Sequence, residues 1–240
     1  MGIRNHVAAR GVALAVTLGL LAPASLLAQV GHPPDRSPYR DIRKGHAITP
    51  YVAYFAGDGG RHGVAPHNGQ VYGFRYDIRT GSTVQMGLLL GFGQTERLIQ
   101  DPFVPITERV VGPVDQSSTF VEADLQLNLT GGKSWNRLAP FLAAGVGLAF
   151  AEDTPADSSG FDLGTKFYFA PHAGFRFFIT ERVFLRADAK VIFWKLSYPP
   201  SYTTRQPDEP STPPIITDGN TSEWDTSGWY QAGLGFSFSP

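Results

Sequence analysis

The sequence predicts an all-β fold: an eight-stranded antiparallel up-and-down transmembrane β-barrel preceded by a cleaved signal peptide. Three observations lead there. Long segments alternate with a period of two, the connections between them alternate short and long, and the bulkier row of each segment is apolar while the other carries the glycines and charges. Period two means strands, because successive side chains leave a pleated backbone on opposite faces. The clearest case is Thr165 to Trp194. Phe167, Phe169, Ala173, Phe175 and Phe177 form one row against Tyr168, His172 and Arg176. After the tight turn Thr180-Glu181-Arg182, Val183, Leu185, Val191 and Phe193 alternate with Arg186, Asp188 and Lys190. Each half is about the length of a tilted strand that crosses a bilayer, ~9–11 residues.

In chain order, residues 1–28 read as a secretory signal peptide. Arg4 and Arg10 make a positive start, Gly11 to Ala22 an apolar core, and Ala24 or Ala28 ends a small-residue cleavage site. The core is too short for the ~20 residues of a spanning helix. The chain has no Cys, which excludes a disulfide framework, a thiolate metal site and a lipid anchor on Cys. Without the leader, the formal charge moves from −1 to −3, since two Arg and no acid are lost. No basic excess is present to hold nucleic acid. Residues 29–45 are polar, contain proline and lack periodicity, as in a short linker. Residues 46–240 then form one domain, with strands expected at 47–56, 69–79, 83–94, 118–129, 138–150, 165–178, 183–195 and 228–238.

The turns after the second, fourth and sixth strands are tight or short, while 57–68, 95–117, 152–164 and 196–227 are long. Long connections all at one end, with an even strand number, are the pattern of outer-membrane barrels. The last connection holds Pro199, Pro200, Pro207, Pro210, Pro213 and Pro214, a composition expected to bury no core.

Alternation alone does not say which row faces inward. Gly73, Gly87, Gly91, Gly145, Gly174 and Gly235 lie in the polar rows, and an eight-stranded lumen is only wide enough for side chains to fill it. The apolar rows, such as Val84, Met86, Leu88, Leu90 and Phe92, are too bulky for that interior and belong against lipid. Tyr51, Phe177, Phe193, Tyr230 and Phe238 stand near strand ends, where interfacial girdles are expected. The phase of the first strand stays open.

The candidate site is therefore the lumen: Arg75, Asp77, Glu122, Asp124, His172, Arg176, Arg186, Asp188 and Lys190. Four charges of each sign, plus the histidine, favour ion pairs filling a narrow barrel over a charge-lined pathway. His172 beside Asp188 or Glu122 could act as a general base, but no serine nucleophile lies close to it on its strand. Asp218-Gly219-Asn220-Thr221-Ser222 begins like a calcium loop, then has Glu223 and Trp229 where glycine and glutamate are required. His62, His67 and Asp58 match no metal-ligand spacing. The reading is a non-catalytic protein with no cofactor and no metal.

ITPYVAYFAG, LAPFLAAGVGLAF, APHAGFRFFITERVFLRADAK and the closing GWYQAGLGFSF resemble the small outer-membrane β-barrel family of OmpA, OmpX and OmpW type, over Ile48 to Phe238. Family members end on an aromatic residue that the insertion machinery is thought to read; here Ser239 and Pro240 follow Phe238. The resemblance covers the barrel and implies no peptidoglycan-binding domain of the kind full-length OmpA carries. The resemblance implies the outer membrane of a diderm bacterium, with both termini periplasmic and the protein monomeric. Its partners would be outer-membrane lipids, the barrel-insertion machinery and an extracellular ligand met by the loops. It leaves three roles: a barrel anchor for surface interaction or envelope integrity, a narrow channel or uptake barrel for small or hydrophobic molecules, and an enzyme acting on lipid A or peptides.

Overall fold

The computed structural model describes residues 36–155, 157–205 and 212–239. The expected signal peptide, the first part of the linker, Pro207 and Pro210 lie outside the described residues. The barrel belongs to the unit that begins at Pro38. Its strands are β1 (Tyr39–Asp41), β2 (His46–Ala56), β3 (Gly69–Arg79), β4 (Val84–Gln100), β5 (Val110–Asn128), β6 (Lys133–Trp135), β7 (Leu138–Ala151), β8 (Thr165–Phe178), β9 (Val183–Ser197) and β10 (Ser222–Phe238). Eight of them form a ring in chain order, all antiparallel: β2, β3, β4, β5, β7, β8, β9 and β10. The ring closes as β10 pairs with β2, Trp229 opposite Phe55 and Phe238 opposite His46. Closure removes every free sheet edge within the ring, which is what a bilayer demands of a sheet.

Both sides of the wall follow the alternation. On β4, Val84, Met86, Leu88, Leu90 and Phe92 point out and are exposed, until Gln94 and Glu96 end the apolar band. Gln85, Gly87, Leu89, Gly91 and Gly93 point in. The glycines make room for large neighbours rather than leaving space. A Cβ on Gly87 would lie 2.0 Å from the Arg75 guanidinium, and one on Gly235 would lie 2.1 Å from the Phe184 ring.

Five expectations need amending. Tyr51 is in the lumen, not the girdle; on β2 the inward row is Ala47, Thr49, Tyr51, Ala53 and Phe55, and the Tyr51 hydroxyl donates to the Leu90 carbonyl at 3.1 Å. The stretch 95–117 is a hairpin for most of its length, because β4 and β5 stay paired up to Gln100 and Val110, past a bulge at Arg97/Ile99. Likewise β10 begins at Ser222, paired with Ser197. Alternation continues there (Thr95, Arg97 and Ile99 inward), but its members are polar enough to hide the period. The proline-rich connection does bury a core, since Tyr198, Tyr202 and Ile216 pack with Val64, Phe161 and Leu163. Finally, part of the polar stretch before the barrel is tied to it. Tyr39–Asp41 pairs with Lys133–Trp135, and Ile42 packs under Ala47, Ala139, Phe178 and Phe184.

Candidate functional site

The inward side chains form layers along the barrel axis. Nearest the short turns, the Phe178 and Phe184 rings pack tilted to each other, 5.4 Å apart, beneath Arg176. Above them lies an ionic layer. Arg75 on β3 makes a two-pronged bond to Asp124 on β5, at 2.5 and 2.7 Å, and its Nε donates to Asp77 at 2.8 Å. Such forks match guanidinium to carboxylate in both distance and plane. Arg186 on β9 donates to Asp188 at 2.8 Å and reaches Asp77 at 3.4 Å, with its guanidinium 4.4 Å over the Phe141 ring. The Lys190 ammonium sits between both oxygens of Glu122, at 2.7 and 2.8 Å, and Tyr168 donates to the same carboxylate at 3.1 Å.

The structure thus brings seven of the nine lumen candidates into ion pairs: Arg75, Asp77, Glu122, Asp124, Arg186, Asp188 and Lys190. Two stand apart. Arg176 donates to the amide oxygen of Asn128 at 2.8 Å and lies over Phe178 and Phe184, with no carboxylate paired to it among the described residues. His172 has Nδ1 3.1 Å from the Ala170 carbonyl and its ring edge-on to Phe141. Glu122, Asp124 and His172 each offer a ligand atom, all within 4.8 Å of one another. They do not fit a metal, because Lys190 and Arg75 already hold the two carboxylates, and a divalent ion would stand beside two fixed cations.

Above the ions is an aromatic layer that the sequence reading did not single out. Phe120 meets Trp229 edge-on at 5.2 Å, and Phe55 packs on both Trp194 and Phe120. Trp229 and Trp194 each satisfy their N–H, on Gln231 at 3.1 Å and Asp225 at 2.9 Å. Row parity could have found them: Phe120 shares its phase with Glu122, Tyr168 with His172, and Trp194 with Lys190.

The paired side chains of the ionic layer are at most 2% exposed, and Phe55, Phe120, Trp194 and Trp229 no more than 1%. A continuous water column would wet the side chains around it. At these levels the described side chains leave no continuous open column.

The long connections then close over the barrel as a lid. Arg97 pairs with Asp157 at 2.7 Å, donates to Gln116 at 2.9 Å and lies over the Phe161 ring. Phe161, Tyr198 and Tyr202 pack ring on ring beside His62. Arg61 clamps the first connection to the last through Asp218 at 2.8 Å, the Asn220 carbonyl at 3.0 Å and Glu223 at 3.5 Å. Gln100 donates to the His62 carbonyl at 2.6 Å, and Arg109 to that of Pro213 at 3.1 Å. Burial pushes the Tyr198 hydroxyl up, helped by its short bond to Glu223, and Tyr202 is pushed up to about 12, mainly by burial. Burial, then Arg61, pushes His62 below its ordinary value. Arg97, Gln100, Gln116 and Glu223 stand on strand extensions whose polar members hide the period, and His62, Phe161, Tyr198 and Tyr202 lie outside the strands. The one signal was the aromatic pair Tyr198 and Tyr202 set among prolines.

No family model and no curated protein matches the sequence. Solved structures do. The chain is similar to the outer membrane protein OprG of Pseudomonas aeruginosa, with a TM-score of 0.52 at 14% identity over 85% of this chain and all of that one. It is also similar to Neisserial surface protein A (TM-score 0.48, 14% identity, 84% of this chain and 98% of that one) and to the outer membrane protein W of E. coli (0.45, 12%, 81% and 98%). At such identities the likeness is one of fold, and the OprG overlay carries it: the chain has the fold of the small outer-membrane β-barrels.

Proposed function

We propose that this small outer-membrane-type barrel is a non-catalytic anchor in the outer membrane of a diderm bacterium. It would hold a preformed lid outward and keep both termini and the short turns in the periplasm. The observation that carries this reading is the sealed lumen. From Phe178 to Trp194 the interior is filled by buried side chains, ion-paired in one layer and aromatic in the next, and this filling supports a barrel without a solute path. The lid supports the second half. Its connections are cross-linked by Arg61, Gln100 and Arg109 and share a core, and a surface that is already ordered loses little freedom when a partner binds. The reading includes contact with outer-membrane lipids through the wall, assembly by the barrel-insertion machinery, a monomeric state, and surface interaction or envelope integrity as the role of the lid.

Single-channel recording of refolded protein tests it. A sealed anchor gives no unitary conductance above that of the bare bilayer. A steady, ion-selective conductance would overturn the anchor reading in favour of a narrow channel.

A further inference from the structure

We propose that the turn end of the barrel carries a binding surface for the phosphate head groups of anionic phospholipids, built from the β1–β6 ribbon and the cations around it. The proposal rests on the wall being embedded in lipid, but not on which leaflet the turns meet.

The first observation is unpaired charge of one sign. The stretch leading into β2 carries Arg40, Arg43 and Lys44 against Asp41, and the turns add Arg79, Lys133, Arg137 and Arg182 against Glu181. Among the described residues none of these cations forms an ion pair, whereas Arg61 and Arg97 at the lid end both do. Arg79 is used internally, donating to the carbonyls of Ile42 and Arg43 and so fixing the stretch against the barrel. The rest crowd like charge into a small area, a cost that an external anion removes.

The second observation is position. Tyr39 and Trp135 face each other across the ribbon, each about half exposed, and Trp135 pairs with Leu138 at the start of β7. They continue the lipid-facing wall to the depth where head groups begin, the usual place for amphipathic aromatic rings. Lys133, opposite Asp41, is one step further along the same face. Between the ribbon and the β8–β9 turn lies a cavity of about 200 Å³, lined by Arg40, Arg137, Ser134 and Thr180, with Asp41 and Glu181 also on its wall. It has room for a glycerophosphate-sized group with donors on several sides.

Quenching of Trp135 tests the proposal. In the Trp224→Phe protein the remaining tryptophans besides Trp135 are the lumen pair Trp194 and Trp229, so quenching by lipid reports on the ribbon. The protein is refolded into phosphatidylcholine vesicles holding either brominated phosphatidylglycerol or brominated phosphatidylcholine at equal mole fraction. The expected result is preferential quenching by the anionic lipid, about fivefold in relative affinity for each cation that reaches the phosphates. Raising the salt concentration should collapse the preference in the Trp224→Phe protein, and adding Arg40→Ala/Lys133→Ala/Arg137→Ala to it should abolish the preference with the barrel still folded. Equal quenching by the two lipids, in protein that has inserted, overturns the proposal while leaving the wall reading intact. Failure to insert at all overturns the wall reading instead. A Trp135 response to soluble acidic peptidoglycan fragments, with no lipid preference, would reassign the surface to the cell-wall polymer.

Discussion

Arg75→Ala is the most informative perturbation of the lumen. The guanidinium makes three charge-assisted hydrogen bonds, two to Asp124 and one to Asp77, and its side chain is fully buried. Removing it leaves Asp124 without its partner in a dry interior, while Asp77 keeps only the longer contact to Arg186 at 3.4 Å. Breaking a buried pair by deleting one partner costs about 3–5 kcal/mol, because the other charge stays buried and unpaired. That is about two to three and a half powers of ten in the folding equilibrium. Urea unfolding in lipid vesicles, followed by tryptophan fluorescence, measures it. Arg75→Met/Asp124→Asn should recover much of the loss, since the carboxylate that lost its partner is then neutral and the volume beside Gly87 is refilled. Conductance should not appear in either variant, because the aromatic layer around Phe120 and Trp229 still closes the lumen. A loss below about 1 kcal/mol for Arg75→Ala, with new ion conductance, would mean that water already solvates the layer and would refute the packed-lumen argument.

Other outcomes follow from the lid and the topology. Arg61→Ala removes a half-exposed clamp, so global unfolding should shift by at most about 1 kcal/mol, while proteolysis within 198–221 speeds up severalfold; unchanged proteolysis would show the clamp to be ornamental. Lid protection in hydrogen exchange should fall as pH drops below about 6.5. The unfolded His62 then takes up a proton that the folded one, with its lowered pKa, resists. It should fall again from pH 10 upward, since Tyr198 and Tyr202 hold their protons longer folded than unfolded; protection that improved at either extreme would contradict this sign. Because the chain lacks Cys, Ser158→Cys and Gly81→Cys can be compared on intact cells with an impermeant maleimide. The lid position should label and the turn position should not, and the reverse pattern would invert the proposed topology.

By itself the sequence determined the wall. Period two assigns every side chain on a strand to one of two faces, and the placement of glycine and charge on one face against Leu, Val and Phe on the other tells lipid from lumen. It also selected the charged lining residues, since a charge in an inward row has nowhere else to go. What it could not set was their partners. Arg75 and Asp124 are 49 residues apart, Lys190 and Glu122 are 68, and which inward residues stand level depends on strand tilt and stagger. For the same reason Arg176, in phase with the others, finds Asn128 and two rings instead of a carboxylate. The lid was further from reach. Its core is assembled from Val64, Phe161, Tyr198 and Ile216, contributed by three separate connections, and no local period marks a residue whose contacts are all made by distant segments. Periodicity is a property of a strand alone, whereas pairing and lid packing are properties of the closed ring.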